Sequence, residues 1–105
     1  MEKLKIYCVT NKKLDFLKNS TYKIGWVSKD EPLPNYILCD KGDNIFFKEK
    51  YYSELTFHYW YWKNLLDRES NDQWIGFCQR RRYWVQKKTL DLISKKNLNE
   101  NLLVD

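Results

Sequence analysis

The sequence predicts an α/β fold built on a mainly parallel sheet, and three observations carry that expectation. β-forming apolar runs recur at residues 4–10, 22–27, 36–39 and 74–78. Polar or turn-forming clusters follow the first, third and fourth runs, which limits each to strand length. Between the third and fourth, residues 53–66 carry apolar side chains at helical spacing. Strand, helix and strand in that order form a βαβ unit, whose right-handed parallel connection is strongly preferred.

The first strand, Leu4–Thr10, alternates apolar residues with β-formers and breaks into Asn11-Lys12-Lys13. The second, residues 22–27, holds Gly25 inside a β-rich run. Pro32 and Pro34 mark an extended connection that cannot be helical. A short strand at 36–39 ends in Asp40-Lys41-Gly42-Asp43-Asn44, a cluster in which Gly42 reads as a turn residue.

In the helix 53–66, Ser53 is placed to cap the start. Leu55, Tyr59, Trp62 and Leu66 recur at four-three-four spacing, the stripe expected to pack on the sheet. The opposite side carries Ser53, Phe57, Trp60 and Asn64, a second partly apolar face that a further segment, local loops or self-association would cover. His58, at the edge of the stripe, reads as a packed structural residue. Trp74-Ile75-Gly76-Phe77-Cys78 is a continuous apolar run, as for a strand covered on both faces. A second helix is expected over 89–96, with Leu90 and Ile93 on one side, and residues 97–105 add little beyond Leu102-Leu103-Val104.

A chain of 105 residues has room for one domain with a modest core, here 1–105. Hydrophobic residues at 43% and aromatics at 17% supply enough apolar material to exclude a disordered chain. A formal charge of +5 favours polyanionic partners, whether nucleic acid, anionic lipid or a diphosphate-bearing nucleotide. Only Arg80-Arg81-Arg82 is a dense basic run. Cys8, Cys39 and Cys78 lack metal-ligand spacing and sit in apolar runs, so they read as small buried hydrophobes in a reducing compartment. The opening residues do not read as a signal peptide and no run reaches the length of a membrane span. A cytoplasmic location is expected, in the cytosol or at the inner face of the membrane.

With the strands ending at Thr10, Cys39 and Cys78 parallel, their carboxyl ends share one edge of the sheet, where open α/β folds bind ligands. Asn11-Lys12-Lys13, residues 40–44 and residues 79–82 then converge on one rim. Guanidinium groups grip phosphate oxygens in a two-pronged geometry, so a phosphate-bearing ligand would suit that rim. Arginines paired with surface carboxylates, or simply solvated, would leave the same pattern. The sequence has no glycine-rich phosphate loop, no closely spaced Cys/His set and a single histidine.

The run Lys41-Gly42-Asp43-Asn44-Ile45, then Ser53-Glu54-Leu55-Thr56, Tyr59-Trp60-Tyr61-Trp62-Lys63-Asn64 and Gln79-Arg80-Arg81-Arg82-Tyr83-Trp84, resembles a bacterial family of capsular and exopolysaccharide glycosyltransferases. Its members read a GDNI-type turn, an ELT helix start, a YWxWKN helix end and an HYRRYF-like motif after a strand. The likeness spans roughly residues 4–84. Gln79 and Arg80 stand where the family commonly has His and Tyr, which removes any proton transfer by that histidine, while Arg81 and Arg82 are retained.

The resemblance implies a partial GT-A-like, Rossmann-like sandwich: the N-terminal, donor-side part of a longer transferase, and so a chain short for turnover alone. It implies a nucleotide-sugar donor, a polysaccharide or lipid-linked acceptor, and peripheral contact with the membrane. Donor-binding positions would be Thr10, Asn11, Lys13, Asp43, Asn44, Glu54, Lys63, Asn64, Arg81 and Arg82, with no catalytic residue assigned. The Asp-x-Asp metal motif of GT-A enzymes is absent, so the expectation is no cofactor and no metal, with Arg81 and Arg82 neutralising the donor diphosphate. Two other readings stay open: a small basic, aromatic nucleic-acid-binding module, and a structural remnant that binds nothing. The first is disfavoured because most aromatics follow a helix-core pattern.

Overall fold

The computed structural model describes residues 3–87, 93–94 and 96–105. Among them, four strands form one sheet: β1 (Leu4–Thr10), β2 (Tyr22–Trp26), β3 (Ile37–Leu38) and β4 (Trp74–Gln79). The order is β3-β2-β1-β4 and every pairing is parallel, as expected for an α/β fold and for part of a Rossmann-like sheet. β3 and β4 lie at opposite edges, so the chain between them crosses the sheet. It does so through the short α1 (Glu49–Tyr52) and the longer α2 (Glu54–Asn64), followed by a 3-10 turn at Leu66–Arg68.

Alternation along β1 sends Tyr7 and Val9 to one face and Ile6 and Cys8 to the other, and all four are buried. On the first face, Tyr7, Val9, Val27 and Cys39 pack against Phe57 and Tyr61 of α2. The Tyr7 and Tyr61 rings lie 5.0 Å apart, and Tyr61 meets Phe77 edge-on at 5.2 Å. On the second face, Leu14 packs with Cys8 and Ile24, and Leu98 and Leu102 pack with Ile6 and Tyr22. Leu98 belongs to α3 (Leu98–Asn101), a single turn within the region that carried little sequence signal.

The helix lies where its spacing put it, but rotated. Leu55, Trp62 and Leu66, expected in the core, are 61%, 56% and 46% exposed. Tyr59 is half-buried, with its hydroxyl on Asp43. Thr56, Phe57 and Tyr61 face inward instead. Gly25 explains the choice: a Cβ there would sit 2.7 Å from Cδ2 of Phe57, so the missing side chain leaves the hollow that this ring fills. Ser53 does not cap the helix. Its φ of 47° makes it a kink between α1 and α2, and its side chain makes no capping bond.

Two further expectations change. β4 is an edge strand, half-buried along its length and exposed at Trp74, rather than covered on both faces. The helix expected over 89–96 falls mostly outside the described residues, Leu90 among them; Ile93 and Ser94 are described and are not helical. The cysteines behave as small core residues: Cys8 and Cys39 are buried, Cys78 is half-buried and all three are free thiols. Cys8 and Cys78 are register partners on β1 and β4, and their mutual hydrogen bond together with burial holds the Cys8 thiol strongly protonated.

Candidate functional site

Because all four strands run the same way, the carboxyl ends of β1 and β4 open on a common edge beside the start of α2. A cleft of about 250 Å³ lies there, lined by Thr10 and Asn11 after β1, Val27 after β2, Glu49, Ser53 and Glu54 at the helix start, and Gln79, Arg80 and Arg81 after β4. The turn that carries the arginines is tight. Arg82 N donates to the Gln79 carbonyl at 3.0 Å and Gln79 N donates back to the Arg82 carbonyl at 3.3 Å. Arg80 and Arg81 therefore hold the two central positions of the turn, and the Tyr83 hydroxyl secures it by donating to the Arg80 carbonyl at 2.9 Å. Among the described residues the ion pair found is Lys5 with Glu69, away from this edge. No described carboxylate lies within ion-pair distance of Arg80, Arg81 or Arg82, although Glu49 and Glu54 line the same cleft.

A second cleft of about 410 Å³ adjoins the first and shares Glu54 and Gln79 with it. Its other walls are His58, Phe77, Cys78, Arg82, Tyr83 and Trp84. The His58 ring packs on Phe77 at 4.7 Å between centroids, and burial lowers its pKa from 6.5, with Glu54 opposing that shift. The imidazole is thus held towards its neutral form, able to donate from one nitrogen and accept at the other. Trp84 is tied by its indole N–H to the Phe77 carbonyl at 2.9 Å, yet half of its surface stays open.

The sequence-derived positions divide into groups. Thr10, Asn11, Glu54 and Arg81 come together in the first cleft, and Arg82 joins Glu54 in the second. Thr10 is buried, and its hydroxyl lies 2.9 Å from both the N and the O of Lys12, so it serves the turn that presents Asn11. Asp43, Asn44 and Asn64 do not line either cleft. They form a clamp between the turn and α2: Asn64 donates to the Asp43 carbonyl at 2.9 Å, Tyr59 to the Asp43 carboxylate at 2.8 Å, and Trp60 to the Lys41 carbonyl at 2.7 Å. Asn44 closes the turn by donating to Gly42 O and accepting from Phe46 N. Gly42 has a φ of 72°, and a Cβ there would collide with the Asn64 amide. Lys63 lies over the Trp62 ring at 3.8 Å, and Lys13 is exposed outside both linings.

Gln79 and Arg80 were expected on the rim by topology; Tyr83 and Trp84 were legible as part of the arginine-rich motif but not as lining residues, and His58 was read only as structural. Glu49 carried no signal, because the kink at Ser53 that brings it to the cleft has no local sequence signature. Among the described residues, no group of three or more His, Cys, Asp or Glu gathers as a metal site, and no helix is long and apolar enough to cross a membrane.

Comparison with known proteins gives one match. No curated protein and no solved structure matches the chain. The family described as a domain of unknown function, DUF4422, matches over residues 5–105. Clefts, clamp and all of the sheet but Leu4 fall within that span, and the chain belongs to this family.

Proposed function

We propose that the chain binds a nucleotide-sugar donor for a surface-polysaccharide glycosyltransferase of GT-A-like architecture. One observation carries the reading: an arginine turn without a described carboxylate partner, set at the carboxyl edge of a parallel sheet beside Thr10 and Asn11. That is the edge at which open α/β sheets bind ligands, and guanidinium groups match phosphate oxygens in charge and geometry. In this reading the diphosphate lies against Arg80 and Arg81, whose fixed charges would also steady a departing diphosphate. The sugar extends into the adjoining cleft, with Glu54 and Gln79 at the border and His58, Arg82 and Trp84 beyond. The motif likeness to polysaccharide glycosyltransferases supports the donor class.

Calorimetric titration with nucleoside diphosphates and their sugar conjugates tests this. Binding is expected without added divalent metal, and Arg81→Ala is expected to weaken it about tenfold or more, the scale of one lost charge-assisted contact. A strict magnesium or manganese requirement would overturn the arginine role. Displacement by a random single-stranded oligonucleotide, with no arginine-dependent nucleotide signal, would favour nucleic-acid binding instead.

A further inference from the structure

Half of the large apolar side chains exposed among the described residues lie in one short stretch, at Phe47, Tyr51, Tyr52, Leu55, Trp62 and Leu66. Tyr51 and Phe47 are the most open of these, at 79% and 75%. Lysines are threaded among them. Lys63 Nζ stands 3.8 Å from the centre of the Trp62 ring, and Lys48 Nζ stands 5.5 Å from that of Phe47 and 5.9 Å from that of Tyr52. No described carboxylate pairs with either lysine. The acidic residues of the same stretch, Glu49 and Glu54, line the cleft instead; against Lys48, Lys50 and Lys63 stands Asp43, whose carboxylate accepts from the Tyr59 hydroxyl. Beyond Leu66, Asp67 is followed at once by Arg68.

We infer that the outer surface of residues 47–66 docks on an anionic lipid surface. The mixture of residue types selects this occupant. Trp, Tyr and Phe with lysines beside them match the headgroup boundary of a bilayer, where rings sit at the interface and lysine stems cross apolar surface to keep their ammonium groups among phosphates. Protein interfaces, by contrast, are depleted in lysine, and a second copy would bring the same cations into its own contact. The inference stands on this surface alone and does not depend on what the clefts bind.

Flotation of the full chain with phosphatidylcholine vesicles, with and without phosphatidylglycerol, tests it. Binding is expected to the phosphatidylglycerol vesicles, falling as salt rises. The double variant Lys48→Glu/Lys63→Glu should lose about tenfold or more of that affinity, and Trp62→Ser should lose binding while still melting cooperatively. The charge-matched control Lys18→Glu/Lys29→Glu, at exposed positions elsewhere, should lose less. Equal losses in the two double variants would reduce the effect to net charge and overturn the assignment. So would no flotation at low salt, or a sedimentation dimer abolished by Trp62→Ser, which would give the surface to a second copy.

Discussion

The two faces of α2 carry similar aromatic and aliphatic material but meet different fates. Phe57 and Tyr61 are buried on the sheet, while Leu55 and Trp62 face outward, as does Leu66 in the 3-10 turn that follows. Helical periodicity establishes that a stripe exists. With two stripes of comparable hydrophobicity, the shape of the opposing surface decides which one is buried. Gly25 leaves a hollow for Phe57, and Tyr7 and Phe77 offer ring contacts to Tyr61. The clamp from Asp43 and Lys41 to Tyr59, Trp60 and Asn64 then fixes the rotation from outside.

The largest effect that could break this comparison is Phe57→Ala, expected to cost ~3–5 kcal/mol because the ring is fully buried and its neighbours cannot all collapse inward. Urea denaturation would measure it. Gly25→Ala fills the same hollow from the other side and should cost ~1–3 kcal/mol through overpacking. Phe57→Leu in that background should recover part of the loss if ring and methyl compete for one space. A smaller effect belongs to His58, at the border between the faces. Its folded pKa lies below 6.5, so its neutral form contributes fully above about pH 6.5 and that contribution fades as pH falls below it. The melting temperature of the native chain should therefore drop more between pH 7.5 and 5 than that of His58→Phe. The smallest change is expected for Trp62→Ala, no more than about 1 kcal/mol despite the size of the side chain, since it loses only an exposed ring contact and the Lys63 interaction. A loss matching that of Phe57→Ala would invert the assignment of faces.

Strands β1, β2 and β4, and the existence of α2, were legible because each rests on local patterning: alternation, a continuous apolar run, or a repeat near 3.6. The rotation of α2 was not, since it depends on a missing side chain some thirty residues earlier, at Gly25. The Ser53 kink was hidden by a serine that looks like an ordinary cap but adopts a positive φ. In the candidate site, the parallel topology was expected to gather residues 11–13, 40–44 and 79–82 on one rim, and of these Asn11, Gln79, Arg80 and Arg81 line the first cleft beside Thr10. Topology and motif likeness both grouped Asp43 and Asn44 with them, and motif likeness added Asn64; the hydrogen bonds of all three hold turn and helix together. A recurrent motif carries no label for which of its members touch a ligand and which hold the others in place.

The second face of the sheet was the least legible, because Leu98 and Leu102 sit in a stretch too short to show a period. Leu102 is nonetheless fully buried, and the Asp105 carboxylate accepts from the backbone N–H groups of Lys3 and Leu4, at 3.0–3.1 Å. Viewed as a sequence of events during synthesis, the two faces of β1 are completed at different times. The α2 face can close once residue 79 is free, with loops of moderate length. The opposite face requires joining residues about a hundred positions apart, the greatest loop-closure cost in the chain. A nascent chain paused before Leu98 would therefore show Ile6 and Tyr22 to chaperones while α2 was already seated.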